Sequence, residues 1–265
     1  MDAIREFFAF SKYSATTNGV YLREPSGAYS WQHLTFVTSL VVIMTLLAIF
    51  FGLRYRRKGH DHVLIVSAIV IDSLEILKIV LSCIRSHDIS SCLNNLPLFL
   101  CSIQLITIPM AAFCKGIVRE ASLDFVAIFG LLGALAGTYG AAQNYSAYPV
   151  LGFDNVVSGL THCISGFCAL YILIGGLASL KYKNMWITFA IMLFFCLAAW
   201  IVDITIEKNY MFLMSDDGTP YTIVKAIVGG NAALYSIAVV VLFMIYIAAF
   251  YFFANLFRNK DRKAA

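Results

Sequence analysis

The sequence predicts an all-α, polytopic membrane protein: a bundle of seven transmembrane helices, N-terminus outside and C-terminus cytoplasmic. Three observations predict it. Of the 265 residues, 60% are hydrophobic and only 13% charged, far from the balance of soluble domains. Seven apolar runs are long enough to cross about 30 Å of hydrocarbon, and none has the strict two-residue alternation of a membrane barrel. The loops also differ in basic charge. Twelve Lys and Arg fall in Arg54 to Lys58, at Lys115 and Arg119, at Lys181 and Lys183, and in the tail Arg258 to Lys263, against six on the opposite side. The richer side is read as cytoplasmic.

The runs are read at residues 34–53, 63–84, 96–114, 122–142, 156–180, 185–206 and 223–257. The last is over-long for one span, so it tilts or begins outside the membrane. Residues 1–33 lack the uninterrupted apolar core of a cleavable signal. With Phe7, Phe8, Phe10, Tyr13, Tyr21, Tyr29 and Trp31 set among charges, they read as an interfacial arm at headgroup level. Residues 34–257 form one helical domain and 258–265 a basic cytoplasmic tail. The basic loops account for the overall positive charge, which therefore does not point to nucleic acid. Seven cysteines, mostly inside spans, give neither a disulfide framework nor a zinc spacing, so neither metal nor cofactor is expected.

Polar residues inside the spans carry the chemistry. In the second span Asp72, Glu75 and Lys78 recur every three residues on one face, which must point into a bundle or a wet cavity. Lys78 is expected to contact Glu75, Asp72 or Asp203, and a purely structural ion pair is an equally good account of that face. The third span opens Asn-Leu-Pro and carries Cys101 and Gln104 on one face, with Pro109 further in. The fifth carries a polar stripe of Ser158, Thr161, His162 and Ser165, with Gly159 and Gly166 allowing close approach of a neighbour. Counting from the span starts, Cys101 and His162 each lie roughly 8 to 9 Å below the outer boundary. A thiol level with an imidazole is the minimal set for covalent acyl chemistry at a bilayer. Taken singly, a buried cysteine is commonly a small hydrophobe and a membrane histidine a helix-to-helix hydrogen bond.

Four segments go further: LEILKIV at 74–80, NLPLFLCSIQL at 95–105, THCISG at 161–166 and NYMFL at 209–213. Their order and wording resemble the YwaF-like integral membrane proteins, related to the transmembrane protein 164 acyltransferases. The resemblance implies a seven-helix fold in which a third-helix cysteine and a fifth-helix histidine, matching Cys101 and His162, move fatty acyl groups between phospholipids. Phe99 stands where many relatives carry a polar residue, and Thr161-His162-Cys163 where they carry Ser-His-Gly.

The expected function is therefore a membrane-embedded lipid acyltransferase, or acyl-ester hydrolase, with a phospholipid or lysophospholipid substrate in a bacterial inner membrane. Cys101 is the nucleophile and His162 its base. Gln104, Thr161, Asp203, Asn209, Tyr210, Glu75 and Lys78 are supporting or substrate-binding candidates, among which Asp203 would orient His162 and Gln104 or Asn209 would donate to an oxyanion. A transporter using the polar stripe and a non-catalytic scaffold are the alternatives. A retinal-type receptor fits less well, since Lys225 lies at the edge of the last span.

Overall fold

The computed structural model describes residues 4, 7, 8, 25–56 and 62–264, and among these the chain is helical with no strand. Nine α-helices follow in order among the described residues: α1 (Trp31–Arg54), α2 (His62–Ser86), α3 (Gln104–Phe113), α4 (Gly116–Thr138), α5 (Ala142–Ala147), α6 (Phe153–Gly175), α7 (Tyr182–Ile206), α8 (Thr222–Ile227) and α9 (Ala232–Ala264). Short 3-10 turns at Ile89–Asn94 and Tyr210–Phe212 interrupt the connections. Most of the predicted interfacial arm lies outside the described residues. Of its aromatic rings, Phe7 and Phe8 pack on Phe153 at the start of α6, while Tyr29 and Trp31 are exposed.

Five helices, α1, α4, α6, α7 and α9, are long and apolar enough to cross a membrane. The remaining two predicted spans differ for reasons the side chains supply. α2 has the length, 25 residues, but carries Asp72, Glu75, Lys78 and Arg85 along it. The predicted third span is regular helix only over the ten residues of α3. Before it, Leu96 to Ile103 wind as successive turns in which the Phe99 carbonyl accepts from both Ser102 N (2.9 Å) and Ile103 N (3.0 Å). Pro97 has no N–H to contribute there. Cys101 therefore sits on the turns leading into α3 rather than within a helix.

The over-long last run is broken near its start, between α8 and α9. Gly229 and Gly230 take φ of +63° and +75°, a conformation glycine adopts without strain, and Asn231 Oδ1 then accepts from Leu234 N to start α9. The helical backbone of α9 runs on through Arg258 to Lys263, so the segment read as a separate tail continues the last helix.

α6 is the central post, packing against α1, α2 and most extensively α4. A Cβ added to Gly166 would fall 2.6 Å from the Ala134 methyl of α4 and 2.8 Å from Met44 Sδ of α1, so only glycine lets both neighbours approach there. Two polar anchors fix α4. More than two turns into it, the fully buried Asp124 accepts five donors: Ser179 N (2.9 Å), Leu180 N (3.0 Å), Tyr251 Oη (3.0 Å), Asn184 Nδ2 (3.1 Å) and Ser179 Oγ (3.3 Å). One carboxylate thus ties α4 to α7, α9 and the α6–α7 connection, and charge-assisted bonds of this kind are the strong ones. At its far end buried His33 of α1 donates from Nε2 to the Thr138 carbonyl (3.1 Å), accepts at Nδ1 from Tyr29 N (3.0 Å) and stacks on Tyr145.

Candidate functional site

Between α2, the turns before α3, and α6 lies a small cleft of about 40 Å³, lined by Ile71, Glu75 and Lys78, by Cys101, Ser102 and Leu105, and by Thr161 and His162. Cys101 and His162, 61 residues apart in sequence, come together in its lining, both only partly buried. The thiol also lies 4.0 Å from Ser102 Oγ.

The imidazole is oriented by its own helix. His162 Nδ1 lies 2.6 Å from the Ser158 carbonyl, one turn earlier, and 3.4 Å from Ser158 Oγ. A carbonyl only accepts, so Nδ1 carries the proton and Nε2 is left with its lone pair. Thr161 Oγ1 donates to the same carbonyl at 3.0 Å. The ring therefore turns its unprotonated Nε2 toward α4.

α4 supplies the floor on which both side chains rest. A Cβ at Gly133 would stand 3.4 to 3.5 Å from Cys101, in ordinary contact, whereas one at Gly137 would fall 1.7 Å from His162 Cδ2 and 2.0 Å from Nε2. These glycines are one helical turn apart on one face. Neither they nor the Ser158 carbonyl was anticipated from sequence. Small residues four apart in the 130–137 stretch were the available signal for the glycines, while a carbonyl acting as orienter leaves none.

The cleft's charged wall belongs to α2. Lys78 Nζ pairs with Glu75 Oε1 at 2.5 Å, meeting the expected contact. Two turns further along α2, Arg85 pairs with Asp154 of α6 at 2.7 Å and its guanidinium lies over the Phe153 ring, linking the two helices above the cleft.

The other predicted members stand elsewhere. Asp203 is buried and accepts from Tyr210 N at 2.7 Å; it makes no hydrogen bond to His162. Asn209 spends its amide on its own loop, its Oδ1 accepting from Met214 N and Ser215 N, its Nδ2 donating to the Ser215 carbonyl and to Asp217. Tyr210 is buried, donates to the Leu93 carbonyl and packs on Phe99, 4.8 Å between centroids. Tyr210 thus braces the segment carrying Cys101, and neither it nor Asn209 lines the cleft. Gln104 is fully buried just beyond the thiol, its Oε1 accepting from Thr107 and its Nε2 without a hydrogen-bond partner among the described residues. No trio of His, Cys, Asp or Glu among the described residues is placed to hold a metal ion.

The residues that build this cleft all fall within 28–254, the stretch matched by the model of the TMEM164 family. The chain belongs to the TMEM164 family. No curated protein sequence and no solved structure matches it. Membership in the TMEM164 family, together with the five apolar helices, makes the chain an integral membrane protein.

Proposed function

We propose that the protein is a membrane-embedded acyltransferase that carries fatty acyl groups between phospholipids through a thioester on Cys101. The observation behind this reading is the meeting of Cys101 with a His162 ring whose free nitrogen is Nε2, beside a cleft. His162 Nε2 takes the thiol proton and the thiolate attacks an ester carbonyl of a bound phospholipid. The tetrahedral intermediate collapses with return of that proton to the departing lysophospholipid oxygen, leaving acyl-Cys101. An acceptor lysophospholipid then gives its hydroxyl proton to Nε2 and attacks the thioester, and the thiol is restored. Water as the acceptor makes the same cycle a hydrolysis.

Supporting roles follow the geometry. Gln104 Nε2, buried and unpaired beside the thiol turn, is assigned as donor to the oxyanion, since a buried donor left without a partner calls for an explanation. Lys78, in the cleft wall, is assigned as counter-charge to the lipid phosphate, with Glu75 holding its ammonium in place until lipid arrives. The seven-span topology with an outside N-terminus belongs to this reading too. α2 and the stretch Leu96–Phe113 are its two polar spans, sheltered by their neighbours, and the loop charges give the orientation.

The test is mass-spectrometric detection of an acyl adduct on Cys101 after incubating proteoliposomes with a phospholipid labelled in one acyl chain. Label should appear on Cys101, then in the acceptor, and both should vanish in Cys101→Ala and His162→Ala. The double variant should be no worse than either single one, as for two groups acting as a unit. Undiminished lipid turnover in folded Cys101→Ala protein would sink the reading.

A further inference from the structure

Resting on the reading of Cys101 and His162 as a working pair, we infer that Gly137 of α4 is a positioning residue for the general base: it sets where His162 Nε2 stands relative to the thiol. Two independent contacts pin the imidazole. On one side Nδ1 is tied to the Ser158 carbonyl at 2.6 Å, which fixes the tautomer and swings the ring toward α4. On the other the ring edge carrying Cδ2 and Nε2 lies in space that any other residue at 137 would fill, with a Cβ 1.7 to 2.0 Å away. Contacts under 3.0 Å at a Cβ do not occur unless something shifts, and what is free to shift is limited. The α4 backbone is held just beyond this point by the His33 bond to the Thr138 carbonyl. Two turns before, Gly130 passes so close to α6 that a Cβ there would stand 2.9 Å from the Ser165 carbonyl oxygen. The side chain must therefore yield, and the rotation that carries the ring off Gly137 also breaks Nδ1 away from Ser158. A methyl group at 137 thus costs the base both its place and its tautomer while leaving thiol and imidazole in the sequence.

The contrast with Gly166 separates this role from packing. Gly166 admits the Ala134 methyl and the end of Met44, neither of which carries chemistry. Gly137 admits the reactive edge of a histidine.

The experiment reads Cys101 without any lipid. Purified full-length protein in nanodiscs is treated with iodoacetamide across pH 5 to 9, and alkylation of Cys101 is quantified by peptide mass spectrometry with the partly exposed Cys92 as an internal comparison. In the wild type His162 should raise Cys101 alkylation at neutral pH at least about tenfold over His162→Ala. Gly137→Ala should fall to the His162→Ala profile, leave Cys92 unchanged and add nothing when combined with His162→Ala. A wild-type profile in folded Gly137→Ala protein would overturn the inference. Should Gly137→Ala fail to fold, the double variant decides. Without the imidazole the added methyl has room, so Gly137→Ala/His162→Ala should fold like His162→Ala, and its failure would equally overturn the inference. Identical Cys101 profiles in wild type and His162→Ala would instead remove the pair itself. Intact His-dependent alkylation with no acyl transfer would remove the acyltransferase reading and leave the role of Gly137 standing.

Discussion

Ser158 serves the cleft through its main chain, which makes its side chain nearly dispensable. The Nδ1 contact to the carbonyl is 2.6 Å and that to Oγ 3.4 Å, so Ser158→Ala should keep His-dependent Cys101 alkylation within about threefold of wild type, in the same pH assay. A loss as large as that of His162→Ala would mean the hydroxyl, not the carbonyl, orients the ring. Gln104 makes the opposite prediction. Gln104→Met keeps the volume and removes the unpaired Nε2, so it should lower the acyl-transfer rate by about 10²-fold while sparing alkylation of the free thiol, which needs no oxyanion donor. Equal losses in both measurements would show that Gln104 only packs. The sequence made Cys101, His162 and Gln104 visible because thiol, imidazole and amide are rare among apolar residues. Asp124, with five donors around it, went unmarked: its partners come from three separate segments, and none stands at a helical spacing from it.

At the scale of elements, what the sequence disclosed depended on whether periodicity decided the outcome. α1, α4, α6 and α7 lie close to their expected bounds, because long apolar runs leave few alternatives in a bilayer. The stretch Leu96–Ile103 did not, because apolarity alone cannot distinguish a helix from turns packed beneath a loop. Its shape is set from a distance, by Tyr210 and Phe99 under the NYMFL segment. The same connection continues to Asp216, whose carboxyl is held below the usual carboxylate range by the Lys225 ammonium at 2.5 Å. A depressed folded value means the stabilisation is complete above the unfolded carboxylate's pKa, about 3.9, and is lost as pH falls through the folded one. Acidification below about pH 4 should therefore lower the unfolding midpoint of wild type more than that of Lys225→Met. Parallel decline of both proteins would mean the pair contributes nothing.

For the whole molecule the open quantity is its orientation across the bilayer. Cys92, beside the turns entering α3, and Cys114, just past the end of α3, lie at opposite ends of one short segment and are both partly exposed. With an outside N-terminus, a membrane-impermeant maleimide added to intact cells should label Cys92 and leave Cys114 unlabelled until the membrane is opened. The reverse pattern would invert the proposed topology. That segment also bears on the bilayer itself. Ten residues of α3 rise only about 15 Å, half the hydrocarbon thickness, and the backbone before them departs from a regular helical ladder. Irregular backbone at membrane depth survives only against protein or water. On the proposed acyltransferase reading, a step rather than a wall along this flank would let glycerol esters settle near the level of the thiol while their acyl chains remain among their neighbours. That reading then needs no lifting of the lipid out of the membrane to reach Cys101.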